Sequence, residues 1–190
     1  TKLLKTREEN LAGQTDHEVL DTWKTTSLDQ LVDYKTVNYA IDNLQNSNGW
    51  TTDDAELISV KLKRAGDPVH TAVFRGGEEI EIEIVAVTKK ALQMPAIGFT
   101  LVNRLGQQLL GENTLISRER DGLLSTKPGE KIAARFVLWF PMLPSGDYSI
   151  IASIADGTLE NNIQHHWAED AVLIRVVSSY VRYGLVGAFL

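Results

Sequence analysis

Cysteine is absent from all 190 residues, which excludes disulfides, thiol nucleophiles and thiolate metal sites and leaves the compartment open. Basic runs are missing as well. The 19 Lys and Arg stand against 25 Asp and Glu, for a formal charge of -6 at pH 7. That is the wrong sign for a nucleic-acid backbone or an anionic membrane surface. No stretch approaches the roughly 18 to 20 apolar residues that span a bilayer. Thr1 opens no signal peptide, and this start suggests a trimmed chain with a further domain upstream.

Catalytic signatures are equally scarce. There is no G-x-x-x-x-G-K-[ST] phosphate loop and no G-x-S-x-G elbow. His17 and His70 lie alone, and the adjacent His165 and His166 should point to opposite faces of a strand. Asp156, Glu160, Glu169 and Asp170 are the oxygen donors a calcium ion takes, but nothing in their spacing makes them converge. Glu81 and Glu83 share a face yet read as a solvated stripe, not as a glycosidase pair. Neither enzyme activity, nor a metal, nor a cofactor is expected.

What the chain does contain is alternation, at 43% hydrophobic content. In EEIEIEIVAVTKK, Ile80, Ile82, Ile84 and Ala86 point one way and Glu79, Glu81 and Glu83 the other. AIGFTLVNR, GQQLLGENT, GEKIAARFVLWF and GDYSIIASIAD follow, divided by glycine turns. Ile132, Ala134, Phe136 and Leu138 share one face; Tyr148, Ile150, Ala152 and Ile154 share another. Such strands bury their apolar faces only if a second sheet closes over them, so an all-β antiparallel sandwich is expected. ELISVKLK and VHTAVF are further strands, KTVNYAIDNLQ holds a short one, and NSNGWTTDD reads as a turn. HHWAEDAVLIRVVS is a long late strand. Residues 1–36 read as a linker or partly helical segment with Trp23 packing on the sandwich edge, 37–179 as the sandwich, and 180–190 as an apolar C-terminal strand.

Several outward positions are unusually apolar: Ala133, Val137 and Trp139 on one strand, Ile151 and Ala155 on the next. Faces of this kind are covered, by a partner strand, by the chain's own termini or by a ligand. Arg135, in mid-strand among them, suits an ion pair with Glu81 or Glu83, or an anionic ligand. His165, Trp167, Glu169 and Arg175 alternate on one face of the late strand, and Arg118 and Arg120 lie in the loop before GLLSTKPGE. Planar polar groups and aromatic rings of this kind bind sugars, the former by paired hydrogen bonds and the latter under C–H faces. Arg118, Arg120, Arg135, Trp139, His165 and Trp167 are therefore the candidate glycan-binding residues; edge packing is the alternative for Trp167.

Four pieces in order, AELISVKLKRAGDPVHTAVFRGGEEIEIEI, PAIGFTLVNRLGQQLLGENT, PGEKIAARFVLWFPMLPSGDYSI and WAEDAVLIRV, resemble the C-terminal domain of Wzt. Wzt is the ATP-binding subunit of the ABC transporter that exports O-antigen polysaccharide. The second piece is the most specific, with Gly98-Phe99 entering a strand, Gly106 at its turn, and Gly111, Asn113 and Thr114 closing the next. The resemblance implies an immunoglobulin-like or jelly-roll sandwich at the cytoplasmic face of the inner membrane. It would recognise the finished end of a lipid-linked O-antigen chain and deliver it to the exporter's transmembrane subunit, while an upstream domain hydrolyses ATP. A sandwich serving only transporter assembly is the alternative. The apolar tail from Tyr180 to Leu190, with Gly184 to bend it, is expected to cross over in a homodimer and complete the partner's sandwich.

Overall fold

The strongest alternation in the chain becomes the middle strand of a three-stranded sheet, and a seven-stranded sheet covers it. The computed structural model describes residues 37–67, 73–115, 125–177, 181 and 183–187. All of them fall within one compact unit, Thr36–Gly187. In chain order the strands are β1 (Val37–Asp42), β2 (Asn48–Thr51), β3 (Ala55–Arg64), β4 (Val73–Phe74), β5 (Glu79–Thr88), β6 (Pro95–Asn103), β7 (Gln108–Asn113), β8 (Lys131–Trp139), β9 (Gly146–Gly157) and β10 (Asn162–Val177). The larger sheet runs β4-β1-β10-β9-β6-β7, with β2 also paired to β10; the smaller runs β3-β5-β8. Every pairing is antiparallel. The expected sandwich is therefore present as two packed sheets.

The faces follow the alternation. Ile80, Ile82, Ile84 and Ala86 of β5 are buried, as are Tyr148, Ile150, Ala152 and Ile154 of β9. Ile132, Phe136 and Leu138 of β8 pack against them. Phe99 of the larger sheet meets Phe136 of the smaller at 5.0 Å between ring centres, an edge-on contact that ties the layers. On the other face of β5, Glu81 is only 6% exposed. Lys63 Nζ lies 3.0 Å from its carboxylate and Arg135 Nη1 lies 3.6 Å away, so two cations compensate the shielded charge.

Two expectations change. NSNGWTTDD is not a turn, because Asn48–Thr51 is strand β2, paired with His166–Glu169. The long β10 explains this: β1 reaches only Val172–Val177, and its first half takes β2 as the remaining neighbour. The single-face row on β10 is broken as well. One extra residue separates Gln164, opposite Ala155, from His166, opposite Ile154. A one-residue insertion reverses which side chains point outward. Gln164 and Trp167 consequently share the outer face with Ala155 and Ser153, and His165 leaves the row. The expected N-terminal segment 1–36 lies outside the described residues. Of the tail, residues 183–186 form bends, with Gly184 at φ +80°, and the Gly187 N–H donates to Met142 O at 2.7 Å.

The two histidines fasten the start of β3 and the turn before it to β10. His165 Nδ1 lies 2.9 Å from Thr52 Oγ1 and 3.9 Å from the Asp54 carboxylate. His166 Nδ1 accepts the Leu57 N–H at 3.0 Å, which demands an unprotonated Nδ1. Burial lowers the pKa of His166; Glu56 opposes that shift and Lys89 adds to it. Because the folded value lies below the unfolded one, the unfolded chain binds the proton first, and the stability present above about pH 6.5 is lost as pH falls. The urea midpoint should thus drop between pH 7 and 5.5 in the parent and less steeply in His166→Gln. Equal slopes in the two proteins would show that this hydrogen bond is not the sensor.

Candidate functional site

The pleat of the larger sheet sends Ala96, Gly98 and Thr100 of β6 outward beside Ser153 and Ala155 of β9. Side chains this short leave a hollow, a groove of about 280 Å³. That is the small end of the roughly 300–1,000 Å³ usual for ligand sites. Gly111 of β7 completes the floor opposite Thr100. A Cβ there would sit 2.8 Å from Phe99 O, so glycine is what lets β7 approach β6 closely.

Amides and hydroxyls form the rim, in different states of use. Asn113 Oδ1 accepts the Leu115 N–H at 2.9 Å, and Thr114 Oγ1 accepts the Ile97 N–H at 3.1 Å. At the β9–β10 turn, Asn162 Nδ2 donates to Thr158 O and Leu159 O at 2.8 and 3.2 Å. Gln164 differs: its Oε1 is shielded from water and has no hydrogen-bond partner. An acceptor left in that state costs roughly 1–3 kcal/mol. Glu112 is the single charged residue among the described groove-lining positions.

Beside the hollow stands an aromatic flank. Trp167 pairs with Ser153 on one side and with Trp50 on the other. Ser153 pairs with Gly98, and Gly98 with Asn113. One row across five strands therefore reads Trp50, Trp167, Ser153, Gly98, Asn113, all on the outer face. Neighbouring strands lie about 4.8 Å apart, which brings the Trp167 backbone one strand from the groove floor. Trp50 is 49% exposed. Gly49 makes the row possible: its φ is +127°, and a Cβ there would fall 1.8 Å from Trp167 O.

Of the six residues named from the sequence, Arg118 and Arg120 lie outside the described residues. Trp167 stands in the row. His165 sits at the β10 bulge, 5% exposed and facing Thr52 and Asp54, with Nε2 unpaired. Arg135 and Trp139 occupy the outer face of the smaller sheet, on the opposite side of the sandwich, where Arg135 pairs with Glu81 and Trp139 is 67% exposed. The structure thus does not gather the described four into one cluster. The four acids weighed for calcium do not gather either: among the described residues no group of three or more His, Asp or Glu is placed to hold a metal. Asp156 is used locally, its carboxylate accepting the Gln93 and Met94 N–H groups. Sequence reasoning missed Trp50 and Gln164. The first was hidden in an Asn-Gly context that reads as a turn, the second behind a bulge. Asn113 was noticed, but only as a strand cap.

The groove is thus shallow and small-floored, with an amide rim and a tryptophan flank, on one face of the β-sandwich. Residues 46–188 match the Wzt C-terminal domain family, and the chain belongs to that family, a non-catalytic carbohydrate-binding module of ABC transporters. Among solved structures, the crystal structure of the C-terminal domain of Wzt is 19% identical with a TM-score of 0.62, covering 76% of this chain and 90% of that one. Chicken MD-1 complexed with lipid IVa is 13% identical with a TM-score of 0.37, covering 78% of this chain and all of that one. Among curated proteins none matches the chain. No helix among the described residues is long and apolar enough to cross a membrane.

Gly49→Ala should detach β2 from β10, because both the positive φ and the overlap with Trp167 O oppose a side chain. Stability is expected to fall by roughly 1–3 kcal/mol and tryptophan emission to shift to longer wavelength as Trp50 gains solvent. An unchanged melting temperature together with unchanged emission would contradict this role for the glycine.

Proposed function

We propose that this domain binds O-antigen polysaccharide in the outer-face groove of the larger sheet, reading its modified non-reducing end. In doing so it couples the finished lipid-linked chain to the exporter's transmembrane subunit at the cytoplasmic face of the inner membrane. The observation that carries the reading is the row Trp50, Trp167, Ser153, Gly98, Asn113. It sets aromatic rings, a hollow and a carboxamide side by side, which is how a sugar's C–H face, ring and hydroxyls are held. The volume of about 280 Å³ suits an end group better than a run of chain. Arg118 and Arg120 remain proposed glycan contacts on their side-chain chemistry alone.

The connectivity we assign is immunoglobulin-like or jelly-roll, with a linker over 1–36, the sandwich over 37–179 and an exchanged strand over 180–190 in a homodimer. Tyr148 supports the immunoglobulin-like option: its hydroxyl donates to Pro144 O, four residues upstream, at 2.9 Å, as a tyrosine corner does. An assembly surface is the second reading, favoured by exposed Val137 and Trp139 on β8.

Trp50→Ala and Trp167→Ala should each weaken binding of the O-polysaccharide of the domain's own strain about tenfold, ~1.4 kcal/mol, in a fluorescence titration. Trp139→Ala should leave binding unchanged. The reverse pattern would move the site to the smaller sheet, and undiminished binding in all three would remove both faces from consideration.

A further inference from the structure

We propose that a second row on the outer face of the larger sheet, Tyr39, Arg175 and Asp147, holds interior sugar units of the polysaccharide whose end group occupies the groove. This rests on the glycan-binding reading above and extends it from the end of the polymer to the chain behind it.

Register gives the first half of the argument. Tyr39 of β1 pairs with Val73 of β4 and with Arg175 of β10, and Arg175 pairs with Asp147 of β9. Buried Asn38, Ala40, Ile174, Val176 and Tyr148 flank these positions along their strands, so the pleat sends Tyr39, Arg175 and Asp147 outward. The bulges of β10 do not spoil the comparison with the groove, because β9 keeps an unbroken register with β6 from Tyr148 to Asp156. Asp147 and Ser153 therefore face the same way, six residues apart on β9, which is about 20 Å of strand. Between them β9 presents Ser149 and Ile151, and β1 and β10 add exposed Ile41 and Leu173. No charged side chain of β9 interrupts the strip. A ligand that touches both rows must extend over several sugar units, as a polymer does.

Side-chain chemistry gives the second half. Tyr39 is 46% exposed, and its ring offers an aromatic surface to sugar C–H groups. Arg175 Nε donates to Asp147 Oδ1 at 2.6 Å, and both side chains are exposed. That bond uses one of the five guanidinium N–H donors; it fixes the fork and leaves Nη1 and Nη2 to ligand hydroxyls. Asp147 Oδ2 remains as an acceptor. The hydrogen bond from Arg175 holds the Asp147 carboxyl below the usual range, with Arg104 adding to the shift, so the acceptor stays ionised at neutral pH. An aromatic surface beside a positioned donor and acceptor suits a hydroxyl-rich ligand. A protein partner fits less well, because charged residues are depleted from interface centres and here an exposed ion pair occupies half the row.

The test titrates the whole chain with two oligosaccharides cut from the O-polysaccharide of its own strain. Both keep the natural non-reducing end; one is a single repeat unit and the other spans several. Tyr39→Ala, Arg175→Gln and Trp167→Ala are compared with the parent, each checked by circular dichroism and by sedimentation. The parent should bind the long form about tenfold more tightly than the short one. Tyr39→Ala and Arg175→Gln should each remove most of that gain and leave affinity for the short form unchanged, whereas Trp167→Ala weakens both. Equal affinity for the two lengths in the parent, or a gain that survives both variants, would overturn the second row and leave the groove reading in place. A changed mass in Tyr39→Ala with both affinities intact would assign the row to a protein contact and overturn the inference. Binding of both lengths lost in Tyr39→Ala but kept in Trp167→Ala, or no binding by the parent, would overturn the groove reading and this inference with it.

Discussion

Sixteen residues of β10 hydrogen-bond to three different strands, and the rest of the molecule is arranged around that demand. No single strand covers that length on its second flank. On one flank β9 follows it for nearly its whole length; on the other, β1 and β2 divide the work, with a short helical turn at Leu44–Asn46 between them. The mismatch is absorbed at two irregularities, after Gln164 and after Ala168. The second includes Asp170 at φ +56°, whose carbonyl accepts the Asn43 side-chain amide at 2.9 Å. The β1–β3 connection takes up the released carbonyls at both places: the Thr52 N–H bonds His165 O at the first, and the Asn43 N–H and side-chain amide bond Ala171 O and Asp170 O at the second.

The core was legible because its large apolar side chains follow period 2 in β5, β8 and β9. Isoleucines two apart in a strand can only be on one side of a sheet, and burial follows. The family was legible too, from the order and spacing of Gly98 and Gly111 within strands and Gly106 at the turn between them. The groove was not. Its floor consists of residues chosen for having little side chain, and Gly98, Ser153 and Ala155 announce nothing by chemistry. Its aromatic flank depends on β2 lying against β10, a pairing between residues more than a hundred positions apart that no local pattern encodes. The bulge was invisible for a related reason: HHWAED alternates as written, and only the length mismatch with β9 forces an extra residue into it.

Arg135 illustrates how far local chemistry carries an argument. Its sequence neighbours leave two partners open, a glutamate across the strand or an anion from outside. The register of β5 against β8 places Glu81 opposite Val137 and Glu83 opposite Arg135 itself. The guanidinium nonetheless reaches the diagonal Glu81, which it shares with Lys63. A glutamate held between two cations links all three strands on the outer face of the smaller sheet. At an exposed position such a contact adds little stability in itself.

The pleat that separates core from groove also separates two kinds of tolerance to change. Around the hollow, core Ile97, Phe99 and Ile154 alternate with small outward Ala96, Gly98, Ser153 and Ala155, so the two sets never share a position. Altering Ala96, Ser153 or Ala155 reshapes the hollow while leaving the buried layer as it was. The shape of the hollow can then change by the exchange of a few atoms on a rigid floor, with the packed layers beneath it undisturbed.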